Sequence, residues 1–263
     1  MAVRFDETVG KRLYRTTDLL NYNAAYTVAF WGYPISLGSS DTTFSTMGSS
    51  ISSAGVDLCQ LFLGSGRVGL YIHNGSSDAG AAGAVVTMNT WYRIWIVRAS
   101  ATSIVFYLNG TGTSPITLDV SGRGASAAMG LGNTYYSGSW IGEEIDARMA
   151  NVKIWSAALS VAELKTEDRS MRPRRIADLY GWWPIFPGSG ERVRDYGASG
   201  RDWTEGGTLT DEAGPPVPWG FSTVWQIPLP SGVPPAGRTT KNTDPYGLGI
   251  APGISRTIKI GGL

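Results

Sequence analysis

One cysteine, Cys59, and one histidine, His73, are all that 263 residues hold of the two side chains most used for metal binding and nucleophilic attack. A lone cysteine permits no intrachain disulfide, so packing must hold the fold. A lone histidine cannot form an HExxH zinc motif, and no Ser-His-Asp or Cys-His set is available to it. Its setting, Ile72-His73-Asn74-Gly75, reads as a solvated loop. Charge is sparse too: 16 % charged residues and a net charge of +1 give no electrostatic reason for a nucleic acid or an anionic membrane as partner. No apolar run is long enough to span a bilayer, so no membrane insertion is expected. The opening Met1–Asp6 has no apolar h-region, and no secretory leader is expected from it.

What the chain has in abundance is glycine, 35 residues of it, punctuating short runs of β-branched and aromatic residues. Tyr26–Pro34, Thr90–Val97 and Ser103–Leu108 read as strands. Asn109-Gly110 marks a tight hairpin. The clearest stretch is Met149–Leu164. Val152 and Ile154 alternate with Asn151, Lys153 and Trp155, the period of a strand with two unlike faces. Ser160 and Glu163 then form a capping box, and Leu159 and Leu164 stand at the two positions of a hydrophobic staple. Many short strands between Gly/Ser/Asn turns predict an all-β sandwich.

The string Val152-Lys-Ile-Trp-Ser-Ala-Ala-Leu-Ser-Val-Ala-Glu-Leu164 resembles a signature near the end of laminin-G-like, concanavalin-A-like jelly rolls. Tyr26–Pro34, Trp91–Val97, Ile104–Gly110 and Ala128–Gly132 resemble other strands of that family, in family order, so the likeness covers roughly residues 3–168. It implies an all-β, two-sheet antiparallel jelly-roll sandwich with one short helix. A second echo comes out of order: Leu179–Leu209 resembles the segment with which many such domains begin. The expected division is therefore a jelly roll over 1–210, with 180–209 as a permuted first-strand segment, and a Pro/Gly-rich arm over 211–263. Trp182 and Trp183 are adjacent on an expected strand, so one of the two should be buried. In the arm, Trp219, Phe221 and Trp225 are costly to leave in water, and Ile258 and Ile260 fit a short strand. The arm is expected to lie on a neighbouring subunit.

The resemblance also frames the search for chemistry. Laminarinase-type hydrolases of this fold carry E-x-D-x-x-E. Here Glu144 and Asp146 match, but Met149 fills the acid/base position, and a thioether cannot move a proton. Glu144 and Asp146 then read as exposed residues on a strand edge, no catalytic residue is assigned, and the chain is expected not to be an enzyme. The family implies calcium held by loop oxygens. Its acidic positions are Ala150 and Asn151 here, so no metal or other cofactor is assigned; Asp6, Asp41, Asp57, Asp78 and Asp146 are the loose candidates. Tyr135, Tyr136 and Trp140, set among Gly, Ser, Asn and Thr, have the composition of a carbohydrate-binding platform; the alternative is packing on the sandwich. The basic run Arg169–Arg175 reads either as a solvated helix end or as a surface for an acidic partner. Without paired cysteines or a leader, a bacterial or viral source is expected. The function expected is a non-enzymatic structural or adhesion protein of a virion, such as a bacteriophage capsid decoration, head fibre or tail component. Its partners would be other virion subunits, in a homo-oligomer, and a host-surface glycan. A free carbohydrate-binding module and a degenerate glycoside hydrolase are the alternatives.

Overall fold

The computed structural model describes residues 1–216, apart from 8–9, 22, 38–40, 50–55, 63–64, 75, 120, 122–125 and 137. Trp219, Phe221, Trp225, Ile258 and Ile260 lie outside the described residues. In chain order the elements are β1 (Ala2–Phe5), β2 (Arg12–Arg15), β3 (Tyr26–Pro34), β4 (Thr42–Ser49), β5 (Val56–Phe62), β6 (Arg67–His73), β7 (Asp78–Val85), β8 (Tyr92–Ser100), β9 (Ser103–Leu108), β10 (Thr111–Gly112), β11 (Ser126–Leu131), β12 (Tyr135–Tyr136), β13 (Ser139–Trp140), β14 (Ala147–Trp155), α1 (Val161–Glu167), β15 (Leu179–Trp183), α2 (Ser189–Arg192), β16 (Thr204–Gly206) and β17 (Thr210–Glu212). Two antiparallel sheets face each other. The first has eight strands, in the order β10-β9-β8-β3-β14-β1-β17, with β15 also beside β14. The second has seven, in the order β16-β2-β11-β4-β5-β6-β7. The expected one helix is two: α2 is a single turn at Ser189–Arg192, too short to leave a periodic signal in the sequence.

Alternation decides what lies between the sheets. Phe30, Ile94, Ile96, Ile104, Phe106, Val152 and Ile154 from the first sheet meet Leu13, Phe44, Cys59, Leu61, Leu70 and Leu131 from the second. Their neighbours of opposite parity point out. Cys59 is fully buried, and burial pushes its thiol pKa up, which leaves it an apolar core residue rather than a reactive one. Asn109 and Gly110 both take positive φ, 50° and 82°, as a tight β9–β10 connection requires.

Residues 179–212 serve both sheets. β15 pairs with β14, β16 with β2, and β17 with β1. Trp183 is buried in the core, whereas Trp182 lies half-buried on the outside and donates from Nε1 to Asn151 Oδ1 at 3.0 Å. One tryptophan of the pair is thus inside, as a strand's alternation demands.

α1 sits on the outer face of the first sheet. Its capping box is complete, with Ser160 Oγ accepting from Glu163 N and Ser160 N donating to Glu163 Oε2. Leu159 and Leu164 close over Trp95, Val97, Ala29 and Trp155 to make a second, smaller apolar cluster. Beneath it Lys153 Nζ donates to Glu167 Oε2 at 2.9 Å, to Ser170 O at 2.7 Å and to Arg172 O at 3.1 Å. Glu167 Oε1 accepts from the backbone N–H of Arg174 and Arg175 at 2.7 and 2.6 Å. The basic run after the helix is therefore a wrap: its backbone encloses a buried ion pair. Arg175 itself is engaged by Glu163 and Asp178.

Candidate functional site

Half-exposed aromatics lie on the outer faces of both sheets, and on the second they meet a short hairpin. On β2, Leu13 points into the core, so Arg12 and Tyr14 point out. Register sets Tyr14 beside Gly130 of β11, and Gly130 beside Thr46 of β4. Farther along, Tyr71 and His73 of β6 point out because Leu70 and Ile72 point in. The short hairpin of β12 and β13 lies over this surface. It pairs Tyr135 with Trp140, and Tyr135 N donates to Thr46 Oγ1 at 3.4 Å.

Gly130 is the reason the hairpin can lie so close. A Cβ there would stand 2.5 Å from the Trp140 ring, nearer than two carbons can approach. With only hydrogen in that place, the indole settles onto the strand. It then meets Tyr14 edge-on at 5.5 Å and Tyr135 edge-on at 5.2 Å, both favoured geometries for ring pairs. The Arg12 guanidinium lies 5.0 Å from the centroids of both Tyr14 and Trp140. All four side chains are neither buried nor fully exposed.

The other end of the face is polar. Tyr136 lies 5.9 Å from the His73 ring, and His73 Nδ1 hydrogen-bonds Asp78 at the start of β7. Tyr71 also bonds Asp78. Burial, then that bond, pushes the Tyr71 hydroxyl up to about 12, while the bonds from His73 and Tyr71 hold the Asp78 carboxyl below its usual value. Glu143 Oε2 accepts from Thr134 Oγ1 at 2.6 Å and from Gln60 Nε2 at 3.3 Å. The platform residues Tyr135, Tyr136 and Trp140 are thus brought to one face. They are joined there by Arg12, Tyr14, Tyr71, His73 and Gln60, which sequence reasoning did not connect with them. His73 is not a solvated loop residue: it ends a strand, its side chain 14 % exposed, tied to an aspartate.

Two further expectations need correction. Glu144 is buried, not exposed on a strand edge; its Oε1 accepts from Gly10 N and Asn133 Nδ2, both at 2.9 Å, and so clamps two loops. Asp146 is held by Arg4 at 3.1 Å and by Ser36 Oγ, also at 3.1 Å. Met149 lies in the core at 0 % exposure. Among the described residues no three His, Cys, Asp or Glu side chains converge as a metal site would require. Asp6 pairs with Lys11 and Asp78 with His73; Asp41 is also engaged, and the side chain of Asp57 lies outside the described residues. A separate groove of about 890 Å³ runs between edge strands β7 and β10. It is lined chiefly by Ala, Gly, Ser and Thr, and its arginine, Arg67, donates to Gly83 O at 2.7 Å. It assembles no reactive set.

Residues 10–165 match the family model described as the concanavalin A-like lectin/glucanases superfamily. No curated protein matches the chain. Among solved structures, a candidate carbohydrate binding protein from Bacteroides ovatus aligns at 16 % identity and TM-score 0.55, over 83 % of this chain and 61 % of its own. This chain therefore spans less than two thirds of that protein. The native heptameric SAP-like pentraxin of Limulus polyphemus aligns at 16 % identity and TM-score 0.50, over 63 % of this chain and 80 % of its own. At these identities the likeness is one of fold.

Proposed function

We propose that this chain, a member of the concanavalin A-like lectin/glucanase superfamily, is a non-catalytic module that binds glycans on the outer face of its second sheet. The observation that carries the reading is the half-exposed ring set of Tyr14, Trp140 and Tyr135, with Arg12 and the Tyr136–His73–Asp78 group on the same surface. Sugar rings stack their apolar faces on aromatic side chains, and their hydroxyls need donors and acceptors beside them. Both are present here. The fold shared with the Bacteroides ovatus protein, itself a candidate carbohydrate binding protein, is compatible with this reading. The non-catalytic part rests on geometry. Glycoside hydrolysis needs two carboxyls about 5–9.5 Å apart across the bond to be cut. Glu144 is spent on Gly10 and Asn133, Asp146 on Arg4 and Ser36, and a core methionine stands where the acid/base would be.

A glycan array with the intact protein and with Trp140→Ala tests both parts. The wild type should retain a defined glycan set that the variant loses by tenfold or more in affinity, with little change in melting. An array blank for the wild type, or binding indifferent to Trp140, would overturn the site. Turnover of a β-glucan that disappears in Glu144→Gln would overturn the non-catalytic reading.

The setting we propose for the module is a virus particle, as a bacteriophage decoration, fibre or tail component, in a homo-oligomer held in part by the C-terminal arm. Its support is the run beyond Asp211, in which prolines stiffen a segment that carries Trp219, Phe221 and Trp225. Mass spectrometry of purified virions checks it: absence of the chain from the particle would remove this setting and leave the glycan site standing.

A further inference from the structure

We propose that the glycan bound on this face is acidic, with Arg12 as the group that receives its carboxylate or sulfate; this rests on the sugar-binding role proposed above. Three arginines of the first sheet face a carboxylate of the protein itself, and Arg67 at the edge of the second is spent on the Gly83 carbonyl. Arg93 meets Asp168 at 3.0 Å, Arg148 meets Glu212 at 3.4 Å and Arg4 meets Asp146 at 3.1 Å. Arg12 differs. Among the described residues it forms no ion pair, and its only hydrogen bond runs from Nη1 to the Gly10 carbonyl at 3.2 Å. It is held instead by two rings, Tyr14 and Trp140, each 5.0 Å away, and by the close approach of Gly206 to its side-chain stem. Stacking fixes the plane of a guanidinium without using its N–H groups; Arg12 Nε is buried, so the Nη groups are the ones an outside acceptor would meet. A planar fork held in place is suited to a carboxylate or sulfate, which it can meet with two parallel hydrogen bonds.

The protein's own acids nearby do not fill that role. Glu144 lies beyond Gly10 with its oxygen occupied by Gly10 N and Asn133, and Glu205 of β16 is engaged by Arg192 and by Leu209 N. Charge is also divided along the face. Arg12 stands on β2, Glu143 lies between with its carboxylate on Gln60 of β5, and Asp78 stands beside His73 of β6, four strands from Arg12 in the order β2-β11-β4-β5-β6. At ~4.8 Å per strand this is ~19 Å, the reach of an oligosaccharide rather than a single sugar. Such a ligand would lie across the strands, with its anionic residue at Arg12 and hydroxyl donors at the acidic end, where a second anion would be repelled.

The test uses the full chain, calorimetric titration at low and high salt, and three probes on one backbone: a uronate oligosaccharide, its carboxyl-reduced neutral form, and its sulfated neutral form. An anionic probe should bind at least about tenfold more tightly than the neutral one, as one charge-assisted contact predicts, and the preference should shrink with salt. Arg12→Gln should abolish the preference, so that anionic and neutral probes bind alike. Arg12→Lys, which keeps the charge and most of the stem, should keep part of it. Uronate binding without sulfate binding assigns a carboxylate, and the reverse assigns a sulfate. Equal binding of all three probes by the wild type, or a preference that survives in Arg12→Gln, overturns the inference and leaves the sugar site in place. If none of the probes binds and the glycan array is blank, the sugar site falls with it. Melting curves of both variants check that the fold survives each substitution.

Discussion

The two sheets carry aromatic residues and arginines on their outer faces, but among the described residues only the first has a helix packed on part of it. On the first sheet, α1 and the wrap after it cover Trp95, Trp155 and Lys153, and every donor beneath them finds a partner in the protein: Trp95 Nε1 reaches Asp168, Trp155 Nε1 reaches Arg175 O, and Lys153 reaches Glu167 and two further carbonyls. On the second sheet a four-residue pairing of β12 with β13 lies over Gly130 and leaves Trp140, Tyr14 and Tyr135 half in water. The contrast separates residues that stabilise from residues that are offered. A polar group saturated inside the fold has little left to give a ligand; an arginine stacked on rings, or a tyrosine at the edge of a hairpin, does.

The sharpest way to break that contrast is Lys153→Ala. It strands the Glu167 carboxylate in a buried site and leaves several carbonyls unpaired, so unfolding in denaturant should show a loss of about 3–5 kcal/mol. Pairing Lys153→Met with Glu167→Leu should recover only part, because the backbone groups that both side chains satisfied remain orphaned. Glycan affinity of the folded protein should not change. A Lys153→Ala protein that unfolds like the wild type would mean that the covered face is not the stabilising one.

A smaller effect is expected from Asp168, whose carboxyl is pushed up to about 6 by burial, against the pull of Arg93 and Trp95. Its folded value is raised, so its contribution to stability is full below the ordinary aspartate range and is lost as pH rises through about 6. The charged form is a cost at neutral pH. Relative to Asp168→Asn, the wild type should gain about 1–3 kcal/mol between pH 7 and pH 4. Parallel stability–pH curves for the two proteins would contradict this. Smallest is Ser160→Ala, which removes the α1 cap and should cost about 1 kcal/mol in denaturant unfolding, again without effect on glycan binding. A measurable loss of binding in this variant would show that the two faces are coupled.

Much of the fold was legible because its signals are short in range. The alternation of Val152 and Ile154, the Ser160–Glu163 box and the Asn109-Gly110 turn each act within a few residues, and each is found where the pattern put it. The platform was legible only in part. Tyr135, Tyr136 and Trp140 share one loop and could be named from composition. Arg12 and Tyr14 lie more than a hundred residues earlier, and nothing local ties them to Trp140. Glu144 misled for the same reason: a carboxylate on a polar loop looks exposed until the partners that bury it, Gly10 and Asn133, are known.

By itself, then, the sequence determined the class of fold, the parity of its strands and the cap on its helix, since these follow from side-chain periodicity and backbone chemistry along a contiguous stretch. Which part of each outer face is covered was decided only by the tertiary structure. Strand register set Gly130 under Trp140 and Arg12 beside both rings, and register between distant strands depends on the packing of the whole sandwich rather than on any neighbourhood in the chain.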